Sequence, residues 1–391
     1  MIAVVGGRVL TVTGDDLEHA LVLVEDGRFK SVGRGDVPPG AEVIDATGKY
    51  VVPGMVDAHT HIGLEDFGET TSPVTPHVRI LDSIKLNSPG FEDALLAGVT
   101  TVIVTPGSSN VISGTSLVMK TAGPDLPTRI LRDPAGMKMA WRKGTNKPSH
   151  DVPYPMSLMG IAGVLRNALV ETRNYMARRD RDEVPEDPVQ ELMARVLRRE
   201  LPVRIHSFTP VEIQAICRLQ DEFGFYFTVE HGFEAHFLAD ELARRGVPVV
   251  YGPGPGLRRH KMFPYRGPHG AAILHHAGVT VALQTDHPDR SIKQLRVFGA
   301  LLIRYTDLTP RDVMRMLTIN GAEIAGVAGR VGSIEPGKDA DFAVYSGHPL
   351  KVQSRVEHVY IDGVPVVVNG RVVVDAYGWP REGQHESSAR V

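Results

Sequence analysis

An apolar, strand-like run, Val51-Val52-Pro53-Gly54-Met55-Val56-Asp57-Ala58-His59-Thr60-His61, ends on two histidines one residue apart. In a strand, residues i and i+2 point to the same face, so both imidazoles reach toward one point. Neutral imidazole is a ligand for zinc and similar ions. Taken alone, the pair reads equally well as half a metal site or as a polar strand end. Three further runs shift the balance. The stretches 201–206, 225–231 and 279–286 are short and rich in β-branched or aromatic residues, and they end on His206, His231 and Asp286. Each is followed by a helical pattern opened by Pro, Glu or Ser. Strand, ligand-type residue and helix, repeated, is how a (β/α)8 barrel presents reactive groups at the C-terminal ends of its strands. One such histidine is more often structural; agreement among four strand ends favours a metal.

Several motifs resemble the amidohydrolase superfamily of metal-dependent hydrolases over nearly the whole chain. Pro53–His61 resembles that family's first-strand motif, Ala97-Gly-Val-Thr-Thr101 its second-strand entry, and Gly332–Asp341 its re-entry into a small β domain. Pro106–Asn110 and Thr285-Asp-His-Pro288 are most similar to the imidazolonepropionase-related branch. The resemblance implies a divalent metal, zinc first, with one or two ions per subunit, and a homo-oligomeric assembly. It also implies a bridging role for Lys138, because binuclear relatives carry at the corresponding strand end a lysine that reacts with carbon dioxide. Lys120 and Lys143 compete for that role. The loop Trp141–Pro148 departs from the acidic loop many relatives carry there, which puts borrowed specificity in doubt.

With 391 residues, the chain has room for a barrel and a smaller domain. Turn signals at Asp26-Gly27, Asp362-Gly363 and Asn369-Gly370 separate strand-like runs at both ends of the chain. We therefore expect a TIM barrel over 51–329 and a composite β-sandwich formed by 1–50 with 330–378. A polar tail, 379–391, is expected to be disordered. Strand three is left open between an inserted hairpin and a barrel strand near Ser116–Thr121, and Gly136–Ala140 reads as strand four. Thr309-Pro310 marks the start of a late helix. The net charge of −3 argues against non-specific nucleic-acid binding. No apolar run approaches the ~20 residues of a membrane span, and the N-terminus lacks a secretory pattern. With a single cysteine, Cys217, these features fit a cytoplasmic protein acting on a small molecule.

The chemistry expected is hydrolysis of a carbon–nitrogen bond in a cyclic amide, imidazolone or N-acyl compound. Asp286 serves as general base and acid, and His231 helps at the oxyanion. With two ions, His59 and His61 hold one, His206 and His231 the other, and Lys138 bridges. With one ion, His59, His61, His206 and Asp286 are the ligands. Asn110, Arg142, Tyr251 and His260 fall after strands, on the face where substrates bind, and are candidate substrate contacts. Basic residues among these loops hint at a substrate carboxylate. Two other readings stand beside this one: an Xaa-Pro or isoaspartyl dipeptidase, and a non-catalytic scaffold. The complete ligand set weighs against the scaffold.

Overall fold

The computed structural model describes residues 1–141, 155, 157–254 and 261–377. The tail 379–391 and the candidates Arg142 and His260 lie outside the described residues. Among the described residues, seventeen strands form two sheets. The first draws on both ends of the chain: β1 (Ile2–Val9), β2 (Leu17–Glu25), β3 (Arg28–Gly33), β4 (Glu42–Asp45) and β5 (Tyr50–Pro53), then β14 (Phe342–Tyr345), β15 (Val356–Ile361), β16 (Val364–Val368) and β17 (Arg371–Val372). The second contains β6 (Met55–Thr60), β7 (Val99–Val104), β8 (Ile112–Lys120), β9 (Ile130–Ala140), β10 (Val203–Ser207), β11 (Phe227–His231), β12 (Val249–Tyr251) and β13 (Val281–Leu283).

In the terminal sheet the order is β17-β16-β15-β14-β5-β1-β2-β3, with β4 on β1. The two ends meet where β14 pairs antiparallel with β5, Phe342 opposite Pro53 and Tyr345 opposite Tyr50. The three turn signals each carry two consecutive positive φ angles: Asp26 and Gly27, Asp362 and Gly363, Asn369 and Gly370. That is the type I′ geometry whose twist matches antiparallel strands. Phe29 on β3 and Phe342 on β14 are four strand spacings apart, roughly 19 Å on a flat sheet. Their ring centroids are 6.0 Å apart, so the sheet folds over a shared core that includes Val22, Val24 and Val344.

The second sheet runs in chain order from β6 to β13. Its ends approach each other through a bridge between Thr60 and His287 and the bonds from Asp286 N to His59 O (3.1 Å) and from His61 N to His287 O (2.8 Å). This nearly closed eight-stranded sheet departs from the expected all-parallel barrel at one strand. β8 is antiparallel to both β7 and β9. The links 105–111 and 121–129 are shorter than the dozen or more residues a parallel crossover needs, so the chain reverses twice. The open question of strand three thus resolves as an antiparallel barrel strand, and strand four is the longer Ile130–Ala140. Helices cover the outside, among them Leu158–Arg179 and Pro188–Leu197, the second opened by Pro188 after the cap Asp187. Thr309 caps the helix Pro310–Leu317 in a capping box with Asp312.

Lys120 settles between the sheets. Its ammonium is buried, 2.8 Å from Asp339, 3.1 Å from Asp341 and 2.6 Å from Asp362. Two of these carboxylates come from the Gly337-Lys-Asp-Ala-Asp341 re-entry motif, which thereby ties β8 to the terminal sheet. Lys120 is committed to that lock, which removes it as a rival of Lys138. Among the described residues, no helix is long and apolar enough to cross a membrane.

Candidate metal centre

Strand alternation brings the polar residues together. On β6, Asp57 and His59 are inward and fully buried; Lys138 on β9 is equally buried. On β10, Arg204 and His206 share a face, and on β11 so do Thr228 and Glu230. The register sets Arg204 between Lys138 and Thr228, and His206 beside Glu230. His231, next in sequence to Glu230, would point outward in a continuing strand. Its φ of 74° breaks the alternation, and Asp286 does the same with φ 56°. Both lie in the left-handed region that non-glycine residues rarely occupy, a cost tolerated where the surrounding structure fixes it.

The inner groups are close. His61 Nε2 is 3.2 Å and His59 Nε2 3.6 Å from Asp286 Oδ1, and His231 Nδ1 is 4.0 Å from Asp286 Oδ2. Ligand atoms of His59, His61 and Asp286 all lie within 4.8 Å of one another. Lys138 Nζ is 3.3 Å from His59 Nε2. The His206 and His231 ring centroids are 4.2 Å apart, and the His59 and His231 centroids 4.9 Å. His206 stands outside the compact trio and lies beside His231.

A layer of supporting groups orients the rings. His59 Nδ1 donates to Glu230 Oε2 at 2.6 Å and His61 Nδ1 to the Thr105 carbonyl at 2.7 Å. For these two the proton is placed on Nδ1 by its acceptor, leaving the Nε2 lone pair for the site, the pattern that accompanies metal-ligating histidines. His231 Nδ1 lies between the Gly252 carbonyl at 3.1 Å and the Gln284 side-chain amide at 3.0 Å, so either tautomer is accommodated. His231 Nε2 is buried without a hydrogen-bond partner among the described residues. These nitrogen and carboxylate donors match what a divalent ion such as zinc takes. Asp57 braces the other side: Oδ1 accepts from Thr285 N at 3.1 Å, beside Asp286.

Burial dominates the electrostatics. It holds His231 at about 4, against attraction from Asp286, and with the nearby Lys138 and His231 charges it pushes His59 well below the usual range. Burial lowers Lys138 to about 8, opposed by Glu230 and Asp286. For Asp286 burial pulls upward, yet His231, His61 and His59 outweigh it and keep the carboxylate ionised far below the usual range. Burial also raises Asp57 to about 7. His59 and His231 are therefore neutral at neutral pH.

Metal-free protein is expected to lose stability in mild acid. Below about 6.5 the unfolded chain protonates His231 while the folded chain does so only near 4, so the unfolded state gains protons first. Stability falls as pH drops from about 6.5 to 4, by about 3 kcal/mol from this residue, and His59 adds in the same direction. Urea unfolding of chelator-stripped protein at pH 7.5 and 4.5 measures it. A profile equally steep in H231N contradicts the assignment.

The wall of the site is a cavity of about 350 Å³ lined by His61, Lys138, His206, His231 and Asp286 with Ser108, Phe208, Phe233, Pro253, Arg266, Asp289 and Arg290. Two expected substrate contacts are not part of that wall. The Asn110 amide donates to Glu69 O and to Thr75 Oγ1 (2.9 Å), bracing the loop after β6. Tyr251 faces the helices: its hydroxyl donates to Gly267 O at 2.6 Å, while the preceding Val250 occupies the barrel interior. Sequence reasoning missed Glu230, Arg204, Arg266 and the Phe208–Phe233 wall. The first two had a signal, the polar pairs Arg204-x-His206 and Thr228-x-Glu230 in otherwise apolar strands.

Known proteins resemble this chain in fold and in sequence. An amidohydrolase of solved structure from Thermotoga maritima MSB8 is 37% identical, with 94% of this chain and 100% of that one covered and a TM-score of 0.88. The chain belongs to the amidohydrolase family. The amidohydrolase family pattern itself matches residues 223–373, which contain His231 and Asp286. Among other amidohydrolase relatives, imidazolonepropionase from Geobacillus kaustophilus is 28% identical over 92% of this chain and 91% of that protein. Amidohydrolase tasK from Hapsidospora irregularis is 27% identical over 89% of this chain, which spans only 40% of that protein's length.

Proposed function

We propose that this amidohydrolase-family enzyme hydrolyses a carbon–nitrogen bond, other than a peptide bond, in a small cyclic amide or imidazolone at a divalent metal centre, in the manner of the imidazolonepropionase branch. The observation that carries this reading is the His59–His61–Asp286 cluster, with imidazole Nε2 atoms turned inward beside Lys138, His206 and His231. In this reading the chain comprises a (β/α)8-type barrel over 51–329 with one reversed strand, and a composite β-sandwich of 1–50 with 330–378.

His59, His61 and Asp286 would hold one ion, His206 and His231 a second, and Lys138 would lie between them as a carbamate. The lowered Lys138 pKa enlarges the fraction of neutral amine, the form that bonds to the carbon of CO2 with loss of a proton. When bound, a divalent ion supplies Lewis-acid polarisation of the carbonyl and acidifies water; the nitrogen-rich donor set suits zinc. Asp286 takes the proton of the attacking water as its oxygen bonds to the carbonyl carbon. It returns that proton to the nitrogen as the C–N bond breaks, so one water is consumed. Should only one ion bind, His231 is freed from ligation and, with its proton on Nε2, would donate to the carbonyl oxygen as negative charge grows there.

Metal analysis of protein purified without chelators tests the centre. The expected content is two equivalents, falling to one or fewer in K138A. One equivalent in the unaltered protein would remove the bridging role. None after reconstitution would leave the scaffold reading. A panel of cyclic amides, imidazolones and dipeptides tests the substrate class, and turnover of dipeptides alone would replace it by the dipeptidase.

A further inference from the structure

The cavity wall carries two arginines of different standing. Arg290 is exposed and already neutralised: its Nη1 lies 3.4 Å from the Asp289 carboxylate and donates to Asp289 O at 2.8 Å. Arg266 has no such partner. Among the described residues no carboxylate lies within ion-pairing distance of it, and its Nε is buried without a hydrogen-bond acceptor. The guanidinium lies over the Phe233 ring, 5.3 Å from its centroid. The ring face attracts the cation without using a hydrogen-bond acceptor, and the guanidinium N–H groups form the fork that grips a carboxylate with two bonds. Phe233 itself stacks on Phe208, centroids 5.0 Å apart and planes within 7°, and Phe263 closes the group 4.5 Å from Phe208. Phe208 and Phe233 share the cavity wall with Arg266, His231 and Asp286.

An unpaired cation fixed by an aromatic face, next to an apolar wall and across a small cavity from the reacting groups, fits one kind of ligand. We propose that Arg266 anchors a carboxylate of the substrate, and that the site takes small amides bearing a carboxylate beside an apolar or aromatic group packed on Phe208 and Phe233. This rests on the amide-hydrolase reading for the bond that reacts, but not for the anchoring. A volume of about 350 Å³, at the small end of ligand sites, places that carboxylate within a few bonds of the C–N group. Of the carboxylates on the wall, Asp286 is engaged by His61 and Asp289 by Arg290. Neither neutralises Arg266, and Lys138 is turned to His59.

Binding tests this apart from turnover. Isothermal titration of the metal-loaded protein with 3-phenylpropanoate and with 3-phenylpropanamide compares the same shape with and without the charge. The acid is expected to bind at least about tenfold more tightly, the usual effect of a hydrogen bond to a charged group. In R266M that preference is expected to vanish while the amide binds as before. R266K keeps the charge but not the planar fork, so the preference shrinks several-fold without disappearing; it also serves if R266M does not fold. Equal binding of the two probes to the unaltered protein overturns the proposal. So does a preference that survives in R266M, which would put the carboxylate on the metal, or one lost in R290M instead. If no amide is ever turned over yet the acid is preferred through Arg266, the hydrolase reading fails and the anchor stands.

Discussion

D286N is expected to lower turnover of any amide the enzyme accepts by about 10²- to 10⁴-fold, the range that a positioned general acid–base supplies, with the fold retained. The side chains are nearly isosteric. Asparagine tolerates the left-handed backbone better than most residues, so φ 56° at this position and the bond from its amide to His59 O both survive. What is lost is the acceptor. Asp286 stays ionised at neutral pH and far into acid despite burial, so it can take a proton across the working pH range; an amide cannot. Steady-state kinetics, with metal content and melting temperature measured on the same sample, separate the possible causes. If D286N retains its metal and keeps near-normal kcat, Asp286 is not the proton carrier. Loss of activity together with loss of metal would assign Asp286 to holding the ion.

The strand ends could be read from sequence because a period of two is rigid: His59 and His61, spaced by one residue, had to share a face. The hairpins were equally legible, since Asp-Gly and Asn-Gly pairs demand two positive φ angles. Four features were not. The reversal of β8 depends on the length of two links, which matters only once neighbouring strands are assigned. The face of Tyr251 depends on where β12 begins. The strand-end reading placed Tyr251 in a substrate loop, but it falls within β12, and a one-residue change of phase exchanges inside for outside. The inward turn of His231 violates alternation altogether, so its placement beside Glu230 could not be obtained from period. Lys138 and Lys120 look alike in sequence, and only the position of three carboxylates around Lys120 distinguishes the structural lysine from the one beside His59.

E230A is expected to be among the most destabilising single changes near the site, by roughly 3–5 kcal/mol, although Glu230 touches no reacting atom. Its carboxylate is fully buried and accepts from Arg204 Nη2 at 3.0 Å, from Thr228 Oγ1 at 2.6 Å and from His59 Nδ1 at 2.6 Å. Removing it strands a cation that is 1% exposed and is left with the Ala58 carbonyl, which accepts from its Nη2. The cost is thus chiefly that of the uncompensated charge, and a double mutant tests this. R204M with E230A removes both charges and should recover much of the loss, since a buried pair replaced by apolar groups is often close to neutral. Guanidinium unfolding of the metal-free proteins reads stability, and metal titration reads the second consequence. Without the acceptor on Nδ1, His59 no longer holds one tautomer, and loss of such a partner weakens metal binding about 10- to 100-fold. The double mutant should recover stability but not metal affinity, because the His59 acceptor stays absent. If both recover together, Glu230 acts only by neutralising Arg204; if neither changes in E230A, the buried layer beneath the site does not organise it.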